Sequence, residues 1–320
     1  MFNRRYLRVK TMQALYEAFI AEEENISHGE KELIEAIENL KVLSIYQLAV
    51  LPQLVRIAED KIEDARNKML PTAHDLNPNL KFVNNLVIKK IAENKQYKSL
   101  IKEHKIALNE EKEILKTMFQ HILEWQVYKK YMRNKVNSFE EDKDFLIEFY
   151  DAIYFQNDAI CSTIEEHNIH WINDFYDASA VTVKCIRQIT PETDDFQILP
   201  GFDKDSDEYE DDINFVKTLY RTTINNSQEY DLMINPRLQN WESDRVAFID
   251  MIILKMAITE FMNCPSVPIK VTINEYIELS KDYSTPKSKI FINGLLDKLA
   301  NELKSAGKIK KTGRGLIGNN

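Results

Sequence analysis

The sequence predicts an all-α fold from three observations: glycine is scarce, apolar residues recur every three or four positions, and helix start signals precede several of these repeats. The 320 residues include seven glycines and nine prolines, and four of the glycines lie in the last fourteen residues. Too few glycines remain for a fold built on many tight turns. The same shortage excludes a glycine-rich loop that cradles a nucleotide phosphate.

The helical repeat is clearest in three segments, residues 114–132, 244–262 and 292–303. Each segment carries apolar side chains at the spacing that places them on one face of a helix. Start signals agree with this pattern: Ser27–Glu30 and Ser138–Glu141 match capping boxes, and Thr285 stands before a proline. The β-branched stretches 181–190 and 267–273 leave a strand open as an alternative. Periodicity alone therefore predicts an all-α fold of ten or more helices.

The charge distribution says more than the total charge. The chain has 42 basic and 51 acidic residues, a net charge of −9 and a pI near 5.4, which argues against general nucleic-acid binding. However, Arg4, Arg5, Arg8 and Lys10 open the chain without an acid, and the last residues are again basic. This asymmetry predicts a polyanion partner, single-stranded RNA, at the basic ends.

Other site chemistries find little support in the sequence. Three widely spaced cysteines fit neither a disulfide framework nor a zinc site, and His167 with His170 lacks further metal ligands. No enzyme signature is recognised, so we expect no catalytic activity, cofactor or metal. We also expect a cytoplasmic protein without a membrane partner, because we find no signal peptide or span-length apolar run.

Two C-terminal segments carry a family resemblance. Residues 267–281 (VPIKVTINEYIELSK) and 288–298 (SKIFINGLLDK) resemble blocks of the NusB transcription antitermination family. Residues 241–261 are similar to a further helix of that family, and the opening residues 4–16 resemble its first helix. The resemblance covers roughly 1–24 and 206–304 and implies NusB-like helical bundles enlarged by an insertion.

The resemblance sets the expected domain boundaries. We predict a first helix with a basic RNA-binding motif at 1–24, a helical insertion at 25–190, an acidic linker at 191–212, a NusB-like core at 206–304 and a basic flexible tail at 305–320. The role of the insertion is left open between an enlarged scaffold and an extra protein-binding surface.

The resemblance also implies a function and its residues. NusB proteins pair with NusE, a small-subunit ribosomal protein, and bind boxA RNA in the transcription elongation complex, supporting transcription of ribosomal RNA. The matching positions predict two sets of site residues: an RNA-binding set of Arg4, Arg5, Arg8, Lys10, Lys270, Ser288 and Phe291, and a partner-binding set of Tyr16 and Asp250. Within the first set, Phe291 is expected to stack on a base. Four phosphate contacts from Arg4, Arg5, Arg8 and Lys10 would make log K fall with log salt at a slope of about −2.8.

Two departures from the family pattern change the expected charge. Tyr6 stands where many relatives have an arginine, and Thr285-Pro286-Lys287 replaces an acidic pair. The second change is expected to favour RNA affinity. Two alternatives to the antitermination function are an interaction scaffold that binds no RNA and an RNA-modifying enzyme, although the chain shows no second catalytic domain.

Overall fold

The computed structural model describes residues 2–21, 25–168, 171, 173–196, 203–238 and 247–316. Within these ranges there are fifteen α-helices and no strand. In chain order they are α1 (Arg4–Ile20), α2 (Ile26–Arg66), α3 (Ala73–Leu76), α4 (Leu86–Glu93), α5 (Lys95–Glu103), α6 (Lys112–Glu124), α7 (Gln126–Arg133), α8 (Phe139–Phe149), α9 (Asp158–His167), α10 (Phe175–Gln188), α11 (Asp207–Asn225), α12 (Ser227–Ile234), α13 (Phe248–Asn263), α14 (Ile269–Tyr283) and α15 (Ser288–Ser305). The predicted all-α fold is confirmed, and both β-branched stretches contribute to helices, α10 and α14.

The helices form two compact units. The discontinuous unit consists of Met1–Ile37 and Asp205–Asn320, and the inserted unit is Glu38–Lys204. The inserted unit therefore begins inside α2, at Glu38, whereas the insertion predicted from the family resemblance begins at residue 25. The start of α2 belongs to the discontinuous unit because Leu33 and Ile37 are buried and Glu30 is bound by the guanidinium of Arg221.

Only part of the acidic stretch 191–212 connects helices, because its last residues belong to α11. Helix α11 begins at Asp207, and its N-cap residue Ser206 accepts a hydrogen bond from the Tyr209 amide. Three acids stand in the first turn of this helix, where negative charge stabilises the exposed amide end. Residues 197–202, including Pro200 and Gly201, lie outside the described residues.

Helix starts and ends differ from the predicted signals in detail. Ser138 caps α8 as predicted, since its side chain accepts from the Glu141 amide. Asn25 rather than Ser27 begins α2, accepting from the His28 amide, and α15 begins at Ser288, after the Thr285-Pro286 pair. The predicted helix over 114–132 is two helices, because Trp125 takes an extended backbone conformation between α6 and α7.

Helix α13 is the centre of the discontinuous unit. It packs against α1, α11, α12, α14 and α15, so it is buried on nearly every side rather than along one stripe. Its polar residues Lys255, Thr259 and Glu260 are buried too, and each has hydrogen-bond partners. A central helix of this kind fixes the helices around it, which carry the predicted site residues.

The inserted unit has its own core, which is rich in aromatic rings. Phe82, Phe119, Tyr128, Tyr131 and Phe145 pack on one another, with Tyr131 and Phe145 stacked at 4.4 Å between centroids. The buried carboxylate of Asp142 accepts from the Tyr131 hydroxyl at 2.6 Å and from the Leu86 amide at 2.8 Å. The core therefore combines apolar packing with satisfied polar groups.

Helix α2 is 41 residues long, and by length and composition alone it could cross a membrane. Of its most apolar 18-residue window, 67 % is buried inside the protein. Such burial is typical of a core helix, so the length of α2 is weak evidence for a membrane span.

Candidate nucleic-acid and partner interface

The first turn of α1 brings three predicted arginines to one end of the discontinuous unit. Asn3 caps this helix by accepting from the Arg5 amide at 3.0 Å, although the first turn holds no acid to favour it. Each arginine meets an acid of another helix instead. We name this region, where the start of α1 meets the end of α13 and the start of α14, the basic end.

Arg8 is a structural residue in this conformation. Its side chain is 3 % exposed, and its Nε and Nη2 atoms each donate to Glu260 at 2.8 Å. Glu260 also accepts from the hydroxyls of Thr272 at 2.8 Å and Tyr276 at 3.2 Å. Burial by itself would lower the pKa of Arg8, but the charge of Glu260 raises it above its ordinary value. Because the guanidinium is enclosed and paired, this conformation does not present Arg8 to the predicted phosphate.

Arg5 is paired but accessible. Its Nε and Nη2 donate to the Glu275 carboxylate at 3.0 and 2.9 Å, while 44 % of its side chain is exposed. These hydrogen bonds raise the pKa of Arg5 and lower that of Glu275. Arg5 can therefore meet a phosphate, in competition with Glu275.

Arg4 is held against α11 and is also accessible. Its guanidinium lies 4.5 Å from the Phe215 ring centroid, its Nε is 3.3 Å from Asp212, and 41 % of its side chain is exposed. Asp212 is buried and also accepts from the Phe2 amide at 2.8 Å. Lys10 differs from these two arginines because it is buried, with its Nζ 5.5 Å from the Tyr6 ring centroid.

The C-terminal tail docks at the basic end. Lys311 Nζ donates to the carbonyl oxygens of Glu260 at 3.1 Å and Cys264 at 2.9 Å, which lie at the end of α13 and also accept from the Cys264 and Val267 amides. The Thr312 amide donates to the Pro265 carbonyl at 3.0 Å. Gly315 completes the contact, since a Cβ there would lie 2.0 Å from that same carbonyl oxygen. The tail is thus anchored to the end of α13 and to Pro265 through Lys311, Thr312 and Gly315, while Lys310 and Arg314 remain exposed.

Two residues of the predicted RNA set lie at the other end of the unit. Ser288 is buried and donates to the Asp250 carboxylate at 2.7 Å, so a predicted RNA residue and a predicted partner residue bind each other. The second Asp250 oxygen is buried and has no partner within the described part of the chain. Phe291 is 5 % exposed, so its ring belongs to the core and offers no surface for a base in this conformation.

An apolar recess lies at that same end. Tyr16, 41 % exposed, packs edge-to-face on Phe248, 48 % exposed, with the ring centroids 5.5 Å apart. Met12, Gln13 and Tyr283 also line this recess, whose volume is about 500 Å³. Of the two predicted partner-binding residues, Tyr16 is exposed, whereas Asp250 is buried. About 18 Å separates Arg4 from Tyr16 along α1, at 1.5 Å per residue.

Sequence reasoning missed the acids that organise the basic end. Glu275 was part of the family-like block 267–281 but had no assigned role, and Glu260 and Asp212 had none either. The sequence feature that could have indicated these acids is the basic start of α1, which has no acid of its own. Buried or half-buried arginines need counter-charges, which must then come from other helices. His167, for which the sequence offered too few metal ligands, pairs with Glu111 at 2.7 Å, and His170 lies outside the described residues.

The Arg5–Glu275 pair predicts a pH dependence. Arg5 holds the pKa of Glu275 below its ordinary value of 4.5, so the pair stabilises the fold above that value and the stabilisation is lost as pH falls. We expect the free energy of unfolding of the wild type to exceed that of Glu275→Gln at neutral pH and the difference to shrink in acid. Denaturant unfolding at a series of pH values measures this, and a difference that grows in acid would contradict it.

Comparison with known proteins places part of this chain in a family. Residues 178–301 match the model of the NusB family. A protein named transcription antitermination protein NusB from Salinibacter ruber is 44 % identical over 105 residues, which are 33 % of this chain and 66 % of the relative. Proteins of the same name from Chloroherpeton thalassium and Natranaerobius thermophilus are 44 % and 39 % identical, over 49 % and 66 % of their lengths. No solved structure matches the chain.

The fold and the site define an all-helical protein with a basic end and an apolar recess on one helical unit. The family match begins within α10 of the inserted unit. It continues through α13, the central helix of the discontinuous unit, and ends within α15. The chain therefore carries a NusB-family domain. The matched segments span between about half and two-thirds of the length of these relatives.

Proposed function

We propose that this protein is a transcription antitermination factor whose discontinuous unit binds single-stranded, boxA-like RNA. A NusE-type ribosomal protein is the proposed partner, and transcription of ribosomal RNA in the cytoplasm is the proposed process. The name that the relatives share, transcription antitermination protein NusB, supports the antitermination role. The observation that carries RNA binding is the basic end, where Arg4 and Arg5 remain accessible.

Several exposed cations extend this surface. Glu260 connects the N-terminal and C-terminal basic segments of the chain within the basic end. Its side chain accepts from Arg8, and its backbone carbonyl accepts from Lys311. Lys310 and Arg314 flank that docked residue, and Lys270 is exposed in the first turn of α14, close in sequence to Pro265. Phosphates can be neutralised here without any base-specific chemistry. Arg8, Lys10 and Phe291 are left out of the proposed contacts because they are buried.

The recess at the other end is the proposed site for the protein partner. Tyr16 and Phe248 are large aromatic side chains that are about half exposed, and residues of this type are common anchors of protein interfaces. The separation of the two ends lets RNA and protein bind the same unit at once.

A salt titration tests the RNA assignment. With Arg4 and Arg5 as the phosphate contacts of α1, substitution of both by alanine is expected to reduce the slope of log K against log salt by about 1.4. Binding of a fluorescently labelled boxA-like RNA, with and without a NusE-type protein, supplies the measurement. Lys112→Ala/Lys116→Ala on α6 of the inserted unit removes the same charge and should leave the slope unchanged.

An unchanged slope in the arginine variant would remove the start of α1 from the RNA site. Failure of the wild type to bind RNA in either condition would favour the alternative, an interaction scaffold. The acids Asp212 and Glu275, which already pair with the accessible arginines, are the observation in favour of that alternative.

A further inference from the structure

The inserted unit contains a second recess, formed by α2, α6, α7 and the segment that follows α2. Its volume is about 500 Å³, which is within the range of binding pockets. Apolar side chains line its floor, among them Ile62, Val83 and Leu123. On α2 the lining residues Ala58, Lys61, Ile62 and Ala65 recur at helical spacing, and the two alanines have small side chains that leave space beside the helix.

The rim of this recess is positively charged. Lys61, Lys68, Lys129 and Arg133 line it, with Lys129 and Arg133 one turn apart on α7. The only acid in the lining is Asp75, among the residues that the structure describes. Its carboxylate is already engaged, because it accepts from Lys68 Nζ at 3.0 Å and from the Thr72 amide at 2.8 Å. A ligand in this recess therefore meets an excess of positive charge.

Exposed aliphatic side chains continue the apolar surface beyond the recess. Met69 is 100 % and Leu70 89 % exposed, and they follow the lining residue Lys68. Leu76 and Leu80, 53 % and 40 % exposed, each follow another lining residue, Asp75 and Asn79. Groups of exposed apolar side chains mark interaction surfaces. Together with the recess, these side chains form a surface larger than a small molecule would cover.

The chemistry favours a protein over RNA or a membrane. RNA bases stack on exposed aromatic rings, but Phe82, Phe119 and Tyr128 in the lining are buried and packed on each other. A flat bilayer surface would leave a concave recess unfilled. An amphipathic helix with aliphatic anchors and carboxylates matches both the apolar floor and the cationic rim.

We propose that this recess and its aliphatic rim bind an acidic amphipathic helix of a partner protein. The aliphatic anchors of that helix lie between α2 and α7, and its carboxylates pair with Lys61, Lys129 and Arg133. This interaction is independent of RNA binding by the discontinuous unit.

The test uses the full chain and a labelled probe peptide of about 16 residues, long enough to form a helix when bound. The probe has leucines spaced three and four apart and glutamates elsewhere, and its counterpart has lysines in place of the glutamates. Fluorescence anisotropy is expected to show the glutamate peptide binding more tightly. Lys129→Glu/Arg133→Glu should weaken that binding by about tenfold and reverse the preference.

Matched variants separate binding from folding. Lys112→Glu/Lys116→Glu on α6 has the same spacing and charge change outside the recess and should bind as the wild type does. Met69→Ser/Leu70→Ser changes only exposed side chains and should also weaken binding, with an unchanged circular dichroism spectrum. Equal affinity for the two peptides, or full affinity in Lys129→Glu/Arg133→Glu, would overturn the proposal. So would binding of phosphatidylserine vesicles or single-stranded RNA at this recess without binding of the glutamate peptide.

Discussion

Substitution of Arg8 by methionine should destabilise the discontinuous unit by about 3–5 kcal/mol, because it leaves the Glu260 carboxylate buried without its counter-charge. Arg8 and Glu260 share two hydrogen bonds of 2.8 Å, and Glu260 is fully buried. The hydroxyls of Thr272 and Tyr276 still donate to the carboxylate in this variant, but neither carries charge. Chemical denaturation followed by helix content measures the loss.

A double variant distinguishes the ion pair from a general packing effect. Arg8→Met/Glu260→Gln removes both charges and keeps an acceptor for Thr272 and Tyr276, so most of the lost stability should return. Arg5→Met on the same helix is the matched control, and it should cost less than about 1 kcal/mol because the Arg5–Glu275 pair is partly exposed. Equal losses for Arg8→Met and Arg5→Met would contradict the structural role of Arg8.

The same double variant tests where RNA binds. If Arg8 only holds helices together, the folded Arg8→Met/Glu260→Gln protein should bind RNA with the affinity and salt slope of the wild type. A slope lowered by about 0.7, the value for one phosphate contact on a single strand, would return Arg8 to the RNA site.

Glu275→Gln is expected to increase RNA affinity by about fivefold and to keep the salt slope close to that of the wild type, because Arg5 is already counted among the phosphate contacts. The reason is competition, since the Glu275 carboxylate accepts from Nε and Nη2 of Arg5 in the free protein. Without the carboxylate charge, Arg5 contacts its phosphate without first giving up an ion pair. The measurement is the same salt titration with labelled boxA-like RNA.

Net charge has to be separated from this local effect. Asp297→Asn removes one exposed carboxylate from α15 of the same unit and changes the total charge equally. Its affinity should change much less than that of Glu275→Gln. If the RNA affinity of the two variants increases equally, the increase comes from the overall charge, and Arg5 makes no specific contact with RNA.

Much of the fold could be predicted because it depends on local information. Apolar spacing predicted the helices α13 and α15, and Ser138 predicted the start of α8. The breaks that sequence reasoning missed depend on tertiary packing. Trp125 separates α6 from α7 with an extended backbone, although the apolar repeat continues through it, and its ring packs on Phe145 of the aromatic core at 6.0 Å between centroids.

The candidate site was predicted less well, because charge in a sequence does not reveal its partners. Arg4, Arg5 and Arg8 are equivalent in sequence, yet two are accessible and one is buried. Their acids come from residues 212, 260 and 275, more than two hundred positions away. Ser288 and Phe291 likewise lie in a family-like block, but their burial is decided by the packing of α15 on α13 and α14.

The sequence by itself determined the fold class, the family-like blocks and the concentration of positive charge at the two ends of the chain, since these depend on composition and on neighbours within a few turns. Only the tertiary structure decided which of those charges remain accessible. The reason is physical: an arginine becomes a binding group or a structural one according to the carboxylates that distant helices bring to it. At the basic end, the Glu260 carboxylate pairs with the buried Arg8, and the Glu260 carbonyl accepts from Lys311. Arg5 pairs with Glu275 and remains partly exposed to solvent.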